Sequence, residues 1–319
     1  MKNLCVQICA GLLLTITTAA LAQAQPAPQP PAGTGIPVTA DNFVRAETDK
    51  IFASFEKQNA FSKFLHFRTL SPIDNHTVQR GNRDTLYSVG VFDLDAGPVT
   101  ISLPDAGKRF MTMIVIDEDH YVFTVVYGQG RHTSPGRKSA RATPLAAIRI
   151  LVDPNDPKDV GQVNALQDEV KVEQPNGPGK FDVPNWDAAS QKKVRDALVV
   201  LGATLPDWRH AAGRRNEVDP VRHLIVTATG WGLNPDKDAI YLNVTPSKND
   251  GTTIYKLNVK DVPVDGFWSI SLYNAEGYFE PTISTPTHSI TSQRRKATTA
   301  PSRSSSAAAI AKFQIVCRL

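Results

Sequence analysis

The stretch whose reading decides the fold runs from Asn82 to Asp105, NRDTLYSVGVFDLDAGPVTISLPD, and resumes from Lys108 to Gly128 as KRFMTMIVIDEDHYVFTVVYG. Leu86, Ser88, Gly90, Phe92 and Leu94 alternate with Tyr87, Val89, Val91 and Asp93. Both sets are rich in apolar or β-forming residues, the pattern of a strand covered on both faces. Ala96-Gly97-Pro98 is a turn signal. Val99, Ile101 and Leu103 then alternate with Thr100 and Ser102, which predicts a half-buried strand. Pro104-Asp105-Ala106-Gly107 is a second turn. Phe110 to Ile116 is almost wholly apolar; its short length, its Ile and Val content and the turns on both sides favour a central strand over a buried helix. Asp117-Glu118-Asp119-His120 closes a hairpin before Tyr121 to Tyr127, where Tyr121, Phe123, Val125 and Tyr127 share one face. Short strands punctuated by turns predict an antiparallel sandwich or jelly roll.

The string Asn82-Arg83-Asp84-Thr85-Leu86-Tyr87-Ser88, with Gly97-Pro98, Pro104-Asp105, Arg109-Phe110 and Asp117 downstream, resembles the DUF1254 family. Gly266-Phe267-Trp268-Ser269-Ile270-Ser271-Leu272-Tyr273 resembles its companion, DUF1214. The resemblance spans residues from about Thr39 to Glu280. It implies two β-rich domains with a helical insertion, in a polypeptide that is often exported, and it implies no reaction. Gly81 departs from the larger apolar residue expected before the Asn.

Outward from this centre, the N-terminus reads as a secretory leader. Lys2 precedes an apolar run through Ala20, and the small residues Ala20, Ala22 and Ala24 mark cleavage near Ala22 or Ala24. The run is too short and too weakly apolar for a membrane span, and no later segment is long and apolar enough. These features predict a soluble periplasmic or secreted protein. Cys5 and Cys9 leave with the leader, so Cys317 has no internal disulfide partner. Residues 25–38 are a Pro-, Ala- and Gln-rich linker. Thr39 is a candidate N-cap for a helix running to about Lys57, and a second short helix carries Phe61, Phe64 and Leu65 up to Ser71-Pro72.

Downstream of Tyr127 the sequence predicts a long polar loop, then a strand over Ala146 to Val152 with Ile148, Ile150 and Val152 on one side. From Val160 to Lys180 the pattern weakens. Asn185 to Leu201 takes a helical period, and Asp219-Pro220 reads as an N-cap with Pro at the first helical position of a second helix ending at Gly230. Ile240 to Val244, Thr253 to Val259 and Phe267 to Tyr273 read as strands, with a hairpin signal at Asn249-Asp250-Gly251. The predicted class is therefore mainly β: two antiparallel sandwich or jelly-roll-like domains, an N-terminal helix and a helical insert. The expected division is a signal peptide over 1–24, a linker over 25–38, a β domain over 39–165, a helical insertion over 166–230, an incomplete β domain over 231–281 and a tail over 282–319.

The tail is Ser-, Thr- and Ala-rich, basic and free of Asp and Glu, and on composition it reads as disordered. Back-translated and read two bases later, it can encode a strand, an Asp-Gly turn and two nearby cysteines. The expectation is a single frameshift near Pro281, which leaves the second β domain short of its last strands and prone to aggregation. The charge balance follows the same division. The chain carries +4 overall, but Lys2 and six tail residues supply seven of its 35 basic side chains, leaving 28 against 31 acidic ones. A basic surface for nucleic acid is therefore not supported.

The candidate site is Asn82, Arg83, Asp84, Thr85 and Tyr87, a polar run entering a buried strand. Such a run either forms a hydrogen-bonded network that fixes the sheet edge and domain junction, or places Asp84 and Tyr87 at the mouth of a pocket with Arg83 or Arg109 as an anion clamp. Trp231 and Trp268, with Tyr241 and Tyr273, offer rings that could stack on a sugar, although aromatics at strand spacing usually form core. Asp117 to His120 reads as a solvated turn, with acid–base or calcium roles as the alternatives. His66, His76, His120, His132, His210 and His223 show no metal spacing, Ser88 has no nucleophile-elbow context, and no cofactor motif is present. Three functions fit: a ligand-binding or assembly module using a cleft between the two β domains, a hydrolase of a glycan or amide centred on Asp84 and Tyr87, and a non-functional truncated copy. A small molecule or glycan is the partner expected, and a homo-oligomer is compatible with the sequence.

Overall fold

The structure is a computed structural model that describes residues 35–72, 81–136, 143–244, 247–248, 253, 262, 264–274, 278–279, 288–292 and 312–317. The elements run in the order α1 (Phe43–Glu56), β1 (Leu65–His66), β2 (Thr85–Val91), β3 (Val99–Leu103), β4 (Met111–Ile116), β5 (Val122–Tyr127), β6 (Gly130–Ser134), β7 (Leu145–Leu151), α2 (Pro157–Asp168), β8 (Lys171–Glu173), α3 (Ala188–Gly202) and α4 (Pro220–Thr229). Then come β9 (Ile240–Val244), β10 (Phe267–Tyr273), β11 (His288–Ser292) and β12 (Lys312–Cys317). Every pairing between these strands is antiparallel. They form an open five-stranded sheet in the order β1-β2-β7-β4-β5, a three-stranded sheet β6-β3-β8, and a four-stranded sheet β11-β10-β12-β9.

The five-stranded sheet is covered on both faces, as the double alternation of β2 requires. On one face Leu86, Met111, Met113, Val115, Ile148 and Ile150 pack against Val99, Ile101 and Leu103 of β3 and Val163 of α2. This is the sandwich core, and each such side chain contributes about 1.5–3 kcal/mol by leaving water. On the other face Val89, Val91 and Leu145 pack against Phe52 of α1 and Trp231. Gly90 lies where a Cβ would come within 2.7 Å of Phe92 Cζ and 2.9 Å of the Lys63 carbonyl oxygen, so the close approach of strand and neighbouring chain demands a glycine. Helices α3 and α4 meet α1 around Phe43, Ala46, Leu198, Ile225 and Val226. Asp219 caps α4 by accepting from the N–H groups of Val221 and Arg222, with Pro220 opening the helix as its sequence predicts.

Several expectations are corrected. Thr39 does not cap α1; its N–H donates to Asn42 Oδ1 at 2.8 Å, making a turn that delays the helix to Phe43. Phe61 to Leu65 is not a helix. Phe61 bridges to Val91, and Leu65 and His66 pair with Val89 and Ser88, because the edge of β2 offers backbone partners that a lone short helix lacks. The loop after Tyr127 contains β6, which reads as polar because it is an edge strand with alternate residues exposed. The weak pattern after Asp156 hides α2, which buries only Val163 and Gln167 and so shows little periodicity, but has an Asp156 cap and Pro157 in its first turn. In the tail, His288–Ser292 and Lys312–Cys317 are strands rather than disordered chain. Lys312–Cys317 lies between β10 and β9, where both strands supply hydrogen-bond partners. The strand expected over Thr253 to Val259 and the turn at Asn249-Asp250-Gly251 lie outside the described residues.

Candidate functional site

Tyr87 stands opposite Arg149 on β7, Arg149 opposite Thr112 on β4, and Thr112 opposite Tyr127 on β5. One rung of the sheet thus presents a phenol, a guanidinium, a hydroxyl and a second phenol to the same face. Arg149 is only 3% exposed, an environment in which a charge needs partners. Its Nη2 donates to Asn234 Oδ1 at 2.8 Å, and Asn234 Nδ2 donates to the Tyr241 hydroxyl at 2.9 Å. Tyr127 donates to Asp238 Oδ1 at 2.6 Å. Burial pushes the Tyr87 and Tyr241 phenols up, opposed by the nearby Arg149 charge. Burial and the Asp238 hydrogen bond push Tyr127 up as well. All three phenols therefore keep their protons at neutral pH. Two buried atoms of this layer have no hydrogen-bond partner among the described residues: the donor Arg149 Nε and the acceptor Asp238 Oδ2. No carboxylate lies within ion-pair distance of Arg149 among them. Tyr127 is 47% exposed, so the layer reaches solvent at that end.

The residues singled out from sequence lie beside this layer and join it to β10. Asp84 is buried, accepts from Ser269 Oγ at 2.7 Å, and is near enough to Tyr87 to act on its titration. Its N–H donates to Asn82 Oδ1 at 2.5 Å, and its carbonyl accepts from Val152 N at 3.0 Å. Tyr273 donates to the Gly81 carbonyl at 2.9 Å, and Phe110 meets Phe267 edge-on at 5.1 Å. Arg83 donates to the Ser71 carbonyl and lies 5.9 Å from the Phe279 ring centroid. This is a hydrogen-bonded junction between the two β regions.

Arg109 lies apart. Its guanidinium holds both oxygens of Asp159, at 2.9 and 2.5 Å, and also reaches the Leu151 carbonyl and Gln162. It pins α2 to the sheet beside an open groove of about 630 Å³ bordered by Lys108, Phe110 and Glu169. Trp231 donates to Thr48 Oγ1 at 3.1 Å and packs on the α1 side, whereas Trp268 packs with Val264, Ile240 and Ile270. The two tryptophans share no site. Arg149, Tyr127, Asn234 and Asp238, which make up most of the polar layer, are not among the candidates drawn from sequence.

The turn read as solvated is only half-exposed at Asp117 and Asp119, and it buries Glu118 and His120. His120 adopts φ 64°, and Asp117 Oδ1 accepts from the N–H groups of Asp119 and Tyr121, which turns the His120 ring inward. There it stacks on Trp231 at 5.1 Å and on His223 at 5.3 Å, and Tyr121 stacks on the far side of His223 at 4.4 Å. His120 Nε2 accepts from the Gly232 N–H at 2.8 Å, and Nδ1 lies 2.9 Å from Thr227 Oγ1. Burial holds its pKa well below the usual histidine value, with the neighbouring His223 adding to the effect. Glu118 pairs with Arg45 at 3.0 Å, yet burial still raises its carboxyl to about 7. Among the described residues no group of three or more His, Cys, Asp or Glu is placed to hold a metal ion, and no helix is long and apolar enough to cross a membrane.

Comparison with known proteins adds fold and family. No curated protein matches the chain. The VPA0106 protein from Vibrio parahaemolyticus has a similar structure, with a TM-score of 0.56 at 15% identity over 88% of this chain and 93% of that one. An uncharacterized protein from Burkholderia cenocepacia gives 0.43 at 10% identity over 87% and 83%. Two family models match in sequence: "Protein of unknown function (DUF1254)" over residues 61–144 and "Protein of unknown function (DUF1214)" over residues 240–312. With both segments in one polypeptide and in that order, the chain belongs to the two-domain DUF1254/DUF1214 family.

Proposed function

We propose that this is an exported ligand-binding module whose recognition site is the polar layer of Tyr87, Arg149, Tyr127, Asn234, Asp238 and Tyr241. The observation that carries the reading is a buried guanidinium whose Nε has no hydrogen-bond partner among the described residues, in the same layer as a buried carboxylate oxygen that also has none among them. A protein interior satisfies its polar groups, and a donor and an acceptor left over together are what a small polar ligand can complete. The leader-like N-terminus supports export to the periplasm or beyond. Hydrolysis centred on Asp84 and Tyr87 has less support: Asp84 is buried with Oδ2 accepting from Ser269, and burial keeps the Tyr87 phenol protonated. Thermal-shift measurements against small polar solutes test the reading. Wild type is expected to gain melting temperature with at least one class, and Arg149→Met to lose that gain; a ligand that stabilises both equally would place binding elsewhere.

A further inference from the structure

We propose that the ligand is an uncharged, hydroxyl-rich molecule, a neutral saccharide or polyol, held between Arg149 and Asp238. This rests on the polar layer being the site and goes on to name what it takes.

Hydrogen-bond chemistry makes the choice. Arg149 Nε can only donate, and the Asp238 carboxylate oxygen Oδ2 is an acceptor. A carboxylate or fully ionised phosphate group would satisfy Arg149 but has no proton for Asp238. An ammonium ligand would satisfy Asp238 but has no lone pair for Arg149. Neighbouring hydroxyls do both, each donating one bond and accepting others. Charge points the same way. Asp238 lies in the layer and Asp84 beside it, so among the described residues the Arg149 charge already has carboxylates on either side and an added anion would meet them. The spacing suits a sugar ring. Arg149 and Tyr127 are two strands apart, about 10 Å between backbones, and Asp238 is tied to the Tyr127 hydroxyl. Tyr87, Tyr127 and Tyr241 supply phenol rings, and Tyr87 and Tyr241 supply further hydroxyls, the mixture of aromatic surface and polar groups that sugars engage.

Calorimetric titration with three forms of each ring decides it. Glucose, galactose and mannose would be compared at pH 6.5 with their uronic acids and their 2-amino derivatives, which add one negative or one positive charge to the same frame. The expected result is binding of at least one neutral sugar, at least tenfold tighter than its charged forms. Asp238→Asn and Tyr127→Phe should each weaken it several-fold; Tyr127 is half exposed, so that variant keeps the fold if Arg149→Met does not. Preference for a charged form, lost in Tyr127→Phe, would overturn the neutral-ligand inference while leaving the site in place. Binding of a neutral sugar unaffected by both variants would overturn the assignment to Arg149 and Asp238. No binding by any of the nine compounds would overturn the saccharide class.

Discussion

The backbone N–H of Gly232 donates to Nε2 of His120 at 2.8 Å, tying the tip of the β4–β5 hairpin to the loop that carries Asn234 onto Arg149. A side chain from a turn that sequence alone reads as surface thus holds the approach to the polar layer. His120→Phe keeps the ring stack and removes the acceptor. It is expected to cost about 1–3 kcal/mol, the penalty of a buried N–H left without a partner. The pH dependence gives a second readout. The folded-state pKa of His120 is depressed, so its contribution is present above about pH 6.5 and is lost as pH falls. Wild type should therefore lose more stability on acidification than His120→Phe. Parallel acid limbs in chemical denaturation would show that His120 is not buried neutral.

Glu118 acts in the opposite sense. Its folded carboxyl holds a proton up to about pH 7, whereas the unfolded chain releases it near 4.5. The stability tied to that proton is fully present below pH 4.5 and is lost as pH rises through 7. Glu118→Gln should match wild type at pH 4.5 and melt higher at pH 8, by on the order of 3 kcal/mol at most. A Gln variant that is less stable at pH 8 would mean that the Arg45 ion pair outweighs the burial.

Ser269 and Asp84 bind β10 to the start of β2 at 2.7 Å. Ser269→Ala leaves a buried carboxylate short of a donor and is expected to destabilise by about 1–3 kcal/mol. Hydrogen exchange should show that β10 loses protection first. Uniform loss across both sheets would instead mean that the junction is not a local joint.

Lys312–Cys317 is paired on both edges, with β10 and β9. Truncation after Ala311 unpairs two strands and is expected to produce aggregates by size exclusion. A monodisperse truncated protein with an unchanged melting temperature would contradict this. The frameshift proposed near Pro281 adds a direct comparison: a chain with the frame restored should be more soluble than the present one, and equal solubility would count against it.

Strands of all three sheets are legible in the sequence where apolar residues alternate or turns bound a short apolar run. Val99–Leu103, Ile240–Val244 and Phe267–Tyr273 coincide with their predicted bounds, and Thr85–Val91 is buried on both faces as its two apolar sets require. Asn82 and Asp84 are also legible as residues that need partners, since polar groups entering a buried strand must be satisfied. The centre of the site is harder to read. Arg149 lies inside AAIRIL, and a charge amid a buried strand is the signal that could have marked it. Asn234 and Asp238 come from an irregular loop, and only tertiary contact brings them to Arg149 and Tyr127. Asp117 to His120 misleads because charged turns usually face solvent; here α1 and α4 cover it through Arg45 and His223. Helix α2 escapes notice because it presents only a narrow buried face.

The most direct measurement is a crystal structure of the protein grown with the neutral sugar that titrates best. The account predicts ring density in the layer, with hydroxyl oxygens within hydrogen-bond distance of Arg149 Nε and Asp238 Oδ2. Density confined to the groove beside Arg109, or a layer that closes Arg149 onto Asp238 with no ligand between them, would contradict it.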